Sequence, residues 1–313
     1  MTAAPAATPA QTSPAAPQAN SWLARLLMLN LAVEVLIVVT GGLVRLTGSG
    51  LGCPTWPQCV PGSYTPVPHQ AEGWHRYIEF GNRTLTGVVG MAALVTVYAV
   101  WRWAARRRDL LVPALAVLGG VVVQAVLGGI TVRTGLNPVT VAAHFLVSMG
   151  LVTASAFLVF RAPQPAGPRP LVVQSLVERL GWFTCAVAVV VLALGTVVTG
   201  SGPHSGDADE PARFGFDPRS VSWLHADAVM LFVGLVVAVW VASRLTDRSG
   251  AAGRAWAAVL AVTAAQGVVG YGQYFTGLPW LVVLLHMFLA TLLVVVLTRA
   301  MLALRVALPL SDR

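Results

Sequence analysis

Residues 124–144 read QAVLGGITVRTGLNPVTVAAH, and residues 266–286 read QGVVGYGQYFTGLPWLVVLLH. The two stretches are equally long and stand 142 residues apart. Eight of the 21 positions are identical: Gln124/Gln266, Val126/Val268, Gly128/Gly270, Thr134/Thr276, Gly135/Gly277, Leu136/Leu278, Val141/Val283 and His144/His286. Each copy joins the end of one apolar run to the start of another through Thr-Gly-Leu, and each second run carries a histidine. Upstream, Thr47-Gly48-Ser49-Gly50 recurs as Thr199-Gly200-Ser201-Gly202 at an offset of 152, so the first copy has the longer first loop. Self-similarity of this kind marks a duplicated structural unit.

Eight apolar stretches surround these motifs, at roughly 23–45, 84–103, 111–132, 139–160, 180–199, 222–243, 255–274 and 279–298. About 20 apolar residues suffice to cross a bilayer as a helix. The 313 residues are 56% hydrophobic and only 10% charged, with a mean hydropathy of +0.74. A soluble domain carries about 25% charged residues, so a soluble enzyme, a disordered protein and a disulfide scaffold are excluded as classes. The expected fold is an all-α integral membrane protein. Its eight transmembrane helices form two parallel-oriented four-helix bundles related by pseudo-twofold symmetry along the membrane normal. The orientation is parallel because each copy holds an even number of spans. Residues 1–20 are rich in Ala and Pro and uncharged, which reads as a disordered cytoplasmic tail. Residues 22–160 form the first half, 161–179 a cytoplasmic linker, 180–299 the second half and 300–313 a cytoplasmic tail.

The net charge of +8 comes from 20 basic residues, all arginine, against 12 acidic ones. With the N-terminus inside, 14 arginines fall on the cytoplasmic side and 6 outside, the bias of the positive-inside rule. Both termini are therefore expected in the cytoplasm. The charge reports topology, and no compact basic domain exists to bind nucleic acid.

Ionisable groups inside spans are costly and usually functional. His144, His225 and His286 lie at similar depth near the outer ends of the fourth, sixth and eighth spans. Imidazoles on facing helices suit an iron porphyrin with two axial ligands; the alternative is that each hydrogen-bonds a neighbouring helix. No cluster supplies the three or four N/S ligands of a zinc site. The first-half position that matches His225 is Asn82, in Glu79-Phe80-Gly81-Asn82-Arg83. Glu79 and Asn82, three apart, share a helical face. Glu79 reads either as a proton-moving or orienting carboxylate or as an interfacial acid paired with Arg83 or Arg76. An iron with one strong ligand keeps a coordination position open, which favours reaction over simple electron transfer. Cys53 and Cys59 flank Pro54-Thr55-Trp56-Pro57-Gln58 in the long outer loop and read as a structural or redox-sensitive disulfide. Gly48, Gly50, Gly200 and Gly202 read as the ends of the first and fifth spans. His69, His75 and His204 read as rim residues, and Cys185 as packing.

Together, TGGLVRLTGSGLGCPTWPQC (40–59), IEFGNR (78–83), QAVLGGITVRTGLNPVTVAAHF (124–145), LHAD (224–227) and LPWLVVLLH (278–286) resemble the heme A synthase family over about residues 22–299. The resemblance implies an oxidoreductase that converts heme O to heme A for heme-copper oxidases. It hydroxylates the C8 methyl twice, and the geminal diol loses water to give the formyl group. It also implies heme b on His225 and His286, a substrate heme site at His144 with Asn82 and Arg83, a functionally important Glu79 and paired Cys53 and Cys59. Many members have histidine where this chain has Asn82; either Asn82 is a weak partner, or another group such as Glu79 or His75 substitutes, or the substrate iron is five-coordinate, which is the arrangement expected here. The implied setting is a bacterial plasma membrane, with the heme sites near its outer face. The implied partners are heme O, a heme O synthase, oxidase assembly factors, membrane lipid and a second copy of the chain. A di-heme b-type electron carrier and a heme transporter or chaperone are the competing classes.

Overall fold

The computed structural model describes residues 21–207 and 211–306. The tail expected at 1–20 and residues 307–313 lie outside the described residues. Eight helices follow one another: α1 (Ser21–Leu46), α2 (His75–Ala104), α3 (Arg108–Arg133), α4 (Pro138–Arg161), α5 (Ser175–Ser201), α6 (Pro218–Thr246), α7 (Ala251–Phe275) and α8 (Trp280–Ala303). All eight are long and apolar enough to cross a membrane. At 1.5 Å per residue the shortest is about 36 Å long, against a hydrocarbon core of about 30 Å. Their outward faces carry Met91, Leu94, Val122, Val189, Leu231 and Val268, all at least half exposed. Water would penalise such a surface and lipid does not.

Helix α2 begins nine residues before the expected start at 84. Hydropathy clips this end because the first turns carry His75, Arg76, Glu79, Asn82 and Arg83. The linker expected at 161–179 is shorter, since α5 already begins at Ser175, and α8 runs to Ala303 into the expected tail.

Helices α1, α2, α3 and α4 pack in sequence, and α4 closes back on α1; α5, α6, α7 and α8 do the same. The halves meet through α4 with α8, α1 with α8, and α4 with α5. Exchanging α1–α4 with α5–α8 maps this pattern onto itself. The repeated Thr-Gly-Leu turns also match in detail. Gly135 and Leu136 have φ of 59° and 56°, and Gly277 and Leu278 have 78° and 61°. Leu136 donates to the Thr131 carbonyl at 2.9 Å and Leu278 to the Gln273 carbonyl at 2.8 Å, each closing the end of its helix. A left-handed leucine costs roughly 1–2 kcal/mol. At Leu136 burial offsets this: the side chain is 6% exposed and lies against Gly50 and Gly206.

The second repeated motif does not keep its structure. Gly48, at φ 68°, follows the end of α1 as expected. Gly200 is inside α5, where a Cβ would fall 2.6 Å from the Phe214 ring. It serves close packing and does not end the helix.

The end that holds Ser21 and Val306 is apolar and tied. Leu27, Val100, Leu110 and Leu158 are each no more than 1% exposed. Arg305 pairs with Glu178 at 2.6 Å, and Arg169 donates to the Leu302 carbonyl at 2.9 Å, fastening the α4–α5 linker to the end of α8. The Glu178 carboxylate raises the pKa of the Arg305 guanidinium further.

Candidate functional site

A cavity of about 800 Å³ occupies the other end of the molecule and is lined by both halves. From the first half it takes Glu34, Arg45, Asn82, Gln124, His144 and Ser148; from the second, His225, Gln266 and His286. All three span histidines of the sequence reading therefore reach one interior space.

Each imidazole is backed by a glycine on the preceding helix. A Cβ on Gly128 would stand 3.5 Å from Cε1 of His144, one on Gly195 3.3 Å from that of His225, and one on Gly270 3.2 Å from that of His286. The first distance is ordinary contact, and the other two are tighter than most side chains accept. Gly128/Gly270 and His144/His286 are repeat positions, so the duplicated sequence encodes a duplicated ring seat. Nδ1 of His144 and of His286 is buried without a hydrogen-bond partner. His225 Nδ1 is likewise buried without a hydrogen-bond partner. Asp217 caps α6, the helix of His225, by accepting the Ser220 N–H at 2.8 Å. The Ser220 hydroxyl and amide hold its carboxyl below the usual range.

The first half differs. Asn82 lines the cavity, and its Oδ1 accepts the Thr40 hydroxyl at 2.7 Å. An amide nitrogen donates hydrogen bonds and does not ligate iron. Gln124 donates to the His144 carbonyl at 2.9 Å and to the Ser148 hydroxyl, locking α3 to α4 beside the histidine.

Glu79 and Arg83 do not line the cavity. Glu79, 5% exposed, accepts the Cys53 N–H on Oε2 at 2.6 Å and Arg83 on Oε1. Arg83 also donates to the carbonyls of Cys53 at 2.6 Å, Thr55 at 2.8 Å and Gln58 at 3.2 Å. The Cys53–Cys59 disulfide is formed, and both sulfurs' residues are fully buried. Trp56 lies flat against Gly129 of α3, where a Cβ would come within 2.5 Å of the indole. The pair Glu79–Arg83 thus fastens the loop to α2, as the ion-pair reading of Glu79 anticipates. Of the rim histidines, His75 bonds Ser49 Oγ at 2.8 Å and His204 bonds the Leu278 carbonyl at 3.0 Å. Cys185 packs in the second-half core.

Glu34 and Arg45 line the cavity and were not among the site residues expected from the sequence. Glu34, on α1, is 2% exposed. Arg45 crosses between halves and donates to the carbonyls of His204 at 2.7 Å and Thr199 at 3.0 Å. The available signal for Glu34 was a lone acid in an apolar run. Among the described residues there is no group of three or more His, Cys, Asp or Glu able to hold a bare metal ion. Paired or single imidazoles aimed into a wide apolar space fit an iron already held by a macrocycle.

Fold and site define a two-bundle helical membrane protein with a shared, histidine-lined cavity. The family model described as cytochrome oxidase assembly protein (COX15-CtaA) matches residues 24–204, more than half of the chain, and the chain belongs to that family. It is similar to the heme A synthase of Lysinibacillus sphaericus (strain C3-41), 25% identical over 279 residues, covering 83% of this chain and 87% of the relative. It is also similar to the heme A synthase of Bacillus cereus (strain G9842), 26% identical over 299 residues, covering 91% and 93%. Over a shorter stretch of 70 residues it is 43% identical to the heme A synthase of Shouchella clausii (strain KSM-K16), covering 22% and 21%.

Proposed function

We propose that this chain is a heme A synthase, which oxidises the C8 methyl of heme O to a formyl group at the first-half site and holds heme b at the second. The observation that carries the reading is the asymmetry of the cavity. Two imidazoles, His225 and His286, serve the second half, whereas the first offers His144 opposite Asn82. A symmetric electron carrier has no use for that difference, and a transporter or chaperone has none for the fastened disulfide loop.

When bound, heme b supplies electron transfer. His225 and His286 would hold its iron through Nε2, since their glycine-backed edges turn the other ring atoms into the protein. His144 would hold the substrate iron from one side. Asn82, with its oxygen taken by Thr40, would offer that iron only an NH₂ group, which donates hydrogen bonds and does not ligate, so a five-coordinate substrate iron would result. Arg83 and Glu79 act on the site by seating the disulfide loop over α2, so Glu79 is needed for oxidation through that loop. Water is limited by the apolar lining, Val89, Val121 and Leu151 among it. The setting is a bacterial plasma membrane with both termini cytoplasmic, the cavity toward the outer face and the pseudo-twofold axis along the normal. A heme O synthase and oxidase assembly factors are the partners that this place in heme supply requires.

The test is to express the chain in cells that make heme O, extract the hemes and separate them. Heme A and its singly hydroxylated precursor are expected. Recovery of heme O and heme b alone would refute the reading and favour an electron carrier or heme carrier.

A further inference from the structure

Glu34 is an ionisable group in the cavity wall that the reading above leaves idle. It lines the same cavity as Asn82, Gln124, His144 and Ser148, and its Oε1 is buried with no hydrogen-bond partner. One turn nearer Ser21, Asn30 donates to Ser155 Oγ at 3.0 Å while its own Oδ1 is also unpartnered. Beyond Asn30 the apolar plug of Leu27, Val100, Leu110 and Leu158 closes the core. The carboxyl therefore lines the cavity above an apolar core.

The second half has no such group. At the offset of 152 set by the Thr-Gly-Ser-Gly repeat, Glu34 corresponds to Ala186 and Asn30 to Trp182. The acid occurs only in the half where Asn82 stands in place of a histidine. An acid inside a membrane protein is costly unless something compensates it, and no side chain here does. Glu79, the other buried acid of this half, has both oxygens engaged by Cys53 and Arg83.

We propose that Glu34 is a further catalytic residue of the first-half site, the acid–base group for the loss of water that yields the formyl group. This rests on the reading of that site as the one that oxidises heme O. The Glu34 carboxyl gives its proton to one hydroxyl of the geminal diol, whose C–O bond breaks to release water. The remaining hydroxyl forms the C=O bond and returns its proton to the carboxylate. One diol gives one aldehyde and one water, no electrons move, and the carboxyl ends as it began. The position suits this step. Glu34 lies six residues, about 9 Å along the helix, below Thr40, which holds Asn82. The reacting carbon is on the rim of the macrocycle, away from the iron and its axial ligands.

The reverse of this step needs no oxidant and can be read alone. Purified full-length protein is given heme A in ¹⁸O-labelled water, and label in the formyl oxygen is followed by mass spectrometry. The wild-type protein is expected to accelerate exchange over heme A in detergent. Glu34→Gln should lose about a hundredfold of that acceleration while binding heme A with an unchanged absorption spectrum. Glu34→Leu, which removes the buried polar group and so favours folding, should show the same loss. Wild-type exchange no faster than detergent, or either variant exchanging at the wild-type rate, would overturn the proposal. Failure of the wild-type protein to bind heme A or to make it from heme O would instead overturn the reading of the site on which the proposal rests.

Discussion

Cys53 donates its backbone N–H to Glu79 at 2.6 Å, so the loop disulfide is one hydrogen bond from an acid on the helix that also carries Asn82. Arg83 closes the same knot from the other side, through Glu79 and three loop carbonyls.

Removing Arg83 should therefore do more harm than removing the charge of Glu79. Arg83→Met leaves a buried carboxylate without its cation and is expected to destabilise the protein by about 3 kcal/mol, read from thermal unfolding in detergent. Glu79→Gln keeps an acceptor for the Cys53 amide. It should fold and retain the heme b spectrum, but the lost ion pair with Arg83 loosens the loop, so heme A output should fall. Full output from Glu79→Gln would remove Glu79 from the reaction.

The glycines behind the histidines make a graded prediction. A methyl at Gly270 stands 3.2 Å from His286 Cε1 and one at Gly128 stands 3.5 Å from His144 Cε1. Gly270→Ala should tilt the imidazole and shift the heme b spectrum, as His286→Met and His225→Met should more severely. Gly128→Ala should leave the first-half site nearly untouched. Equal effects of the two alanines would show that ring seating is not controlled from this side.

Asn82→His should convert the first-half site toward the arrangement of the second. The expected result is a second strong-field ligand at the substrate iron, seen as a low-spin spectrum of the heme O-loaded protein, with slower product formation. A low-spin spectrum already present with Asn82 would show that another group fills that position.

Most of the architecture was legible along the chain. Bilayer thickness demands about 20 consecutive apolar residues, and a duplicated unit carries its Thr-Gly-Leu turn and its histidine at fixed spacing. The seats of His144 and His286 follow from the same repeat, and that of His225 against Gly195 does not. Hydropathy failed at the start of α2, where the polar residues of His75–Arg83 are satisfied by a loop that a local average does not see. It also could not tell Gly48 from Gly200, identical in motif, because Phe214 packs on only one of them.

Sequence alone determined the membrane class, the eight spans, the pairing of halves and the three histidines, because each depends on composition or spacing within a few turns. Tertiary structure decided where the acids point. Glu79 turns to a loop 26 residues away, and Glu34 to a cavity lined by helices of both halves. The facing of a side chain within a bundle is set by helices distant in sequence, and no local pattern carries it.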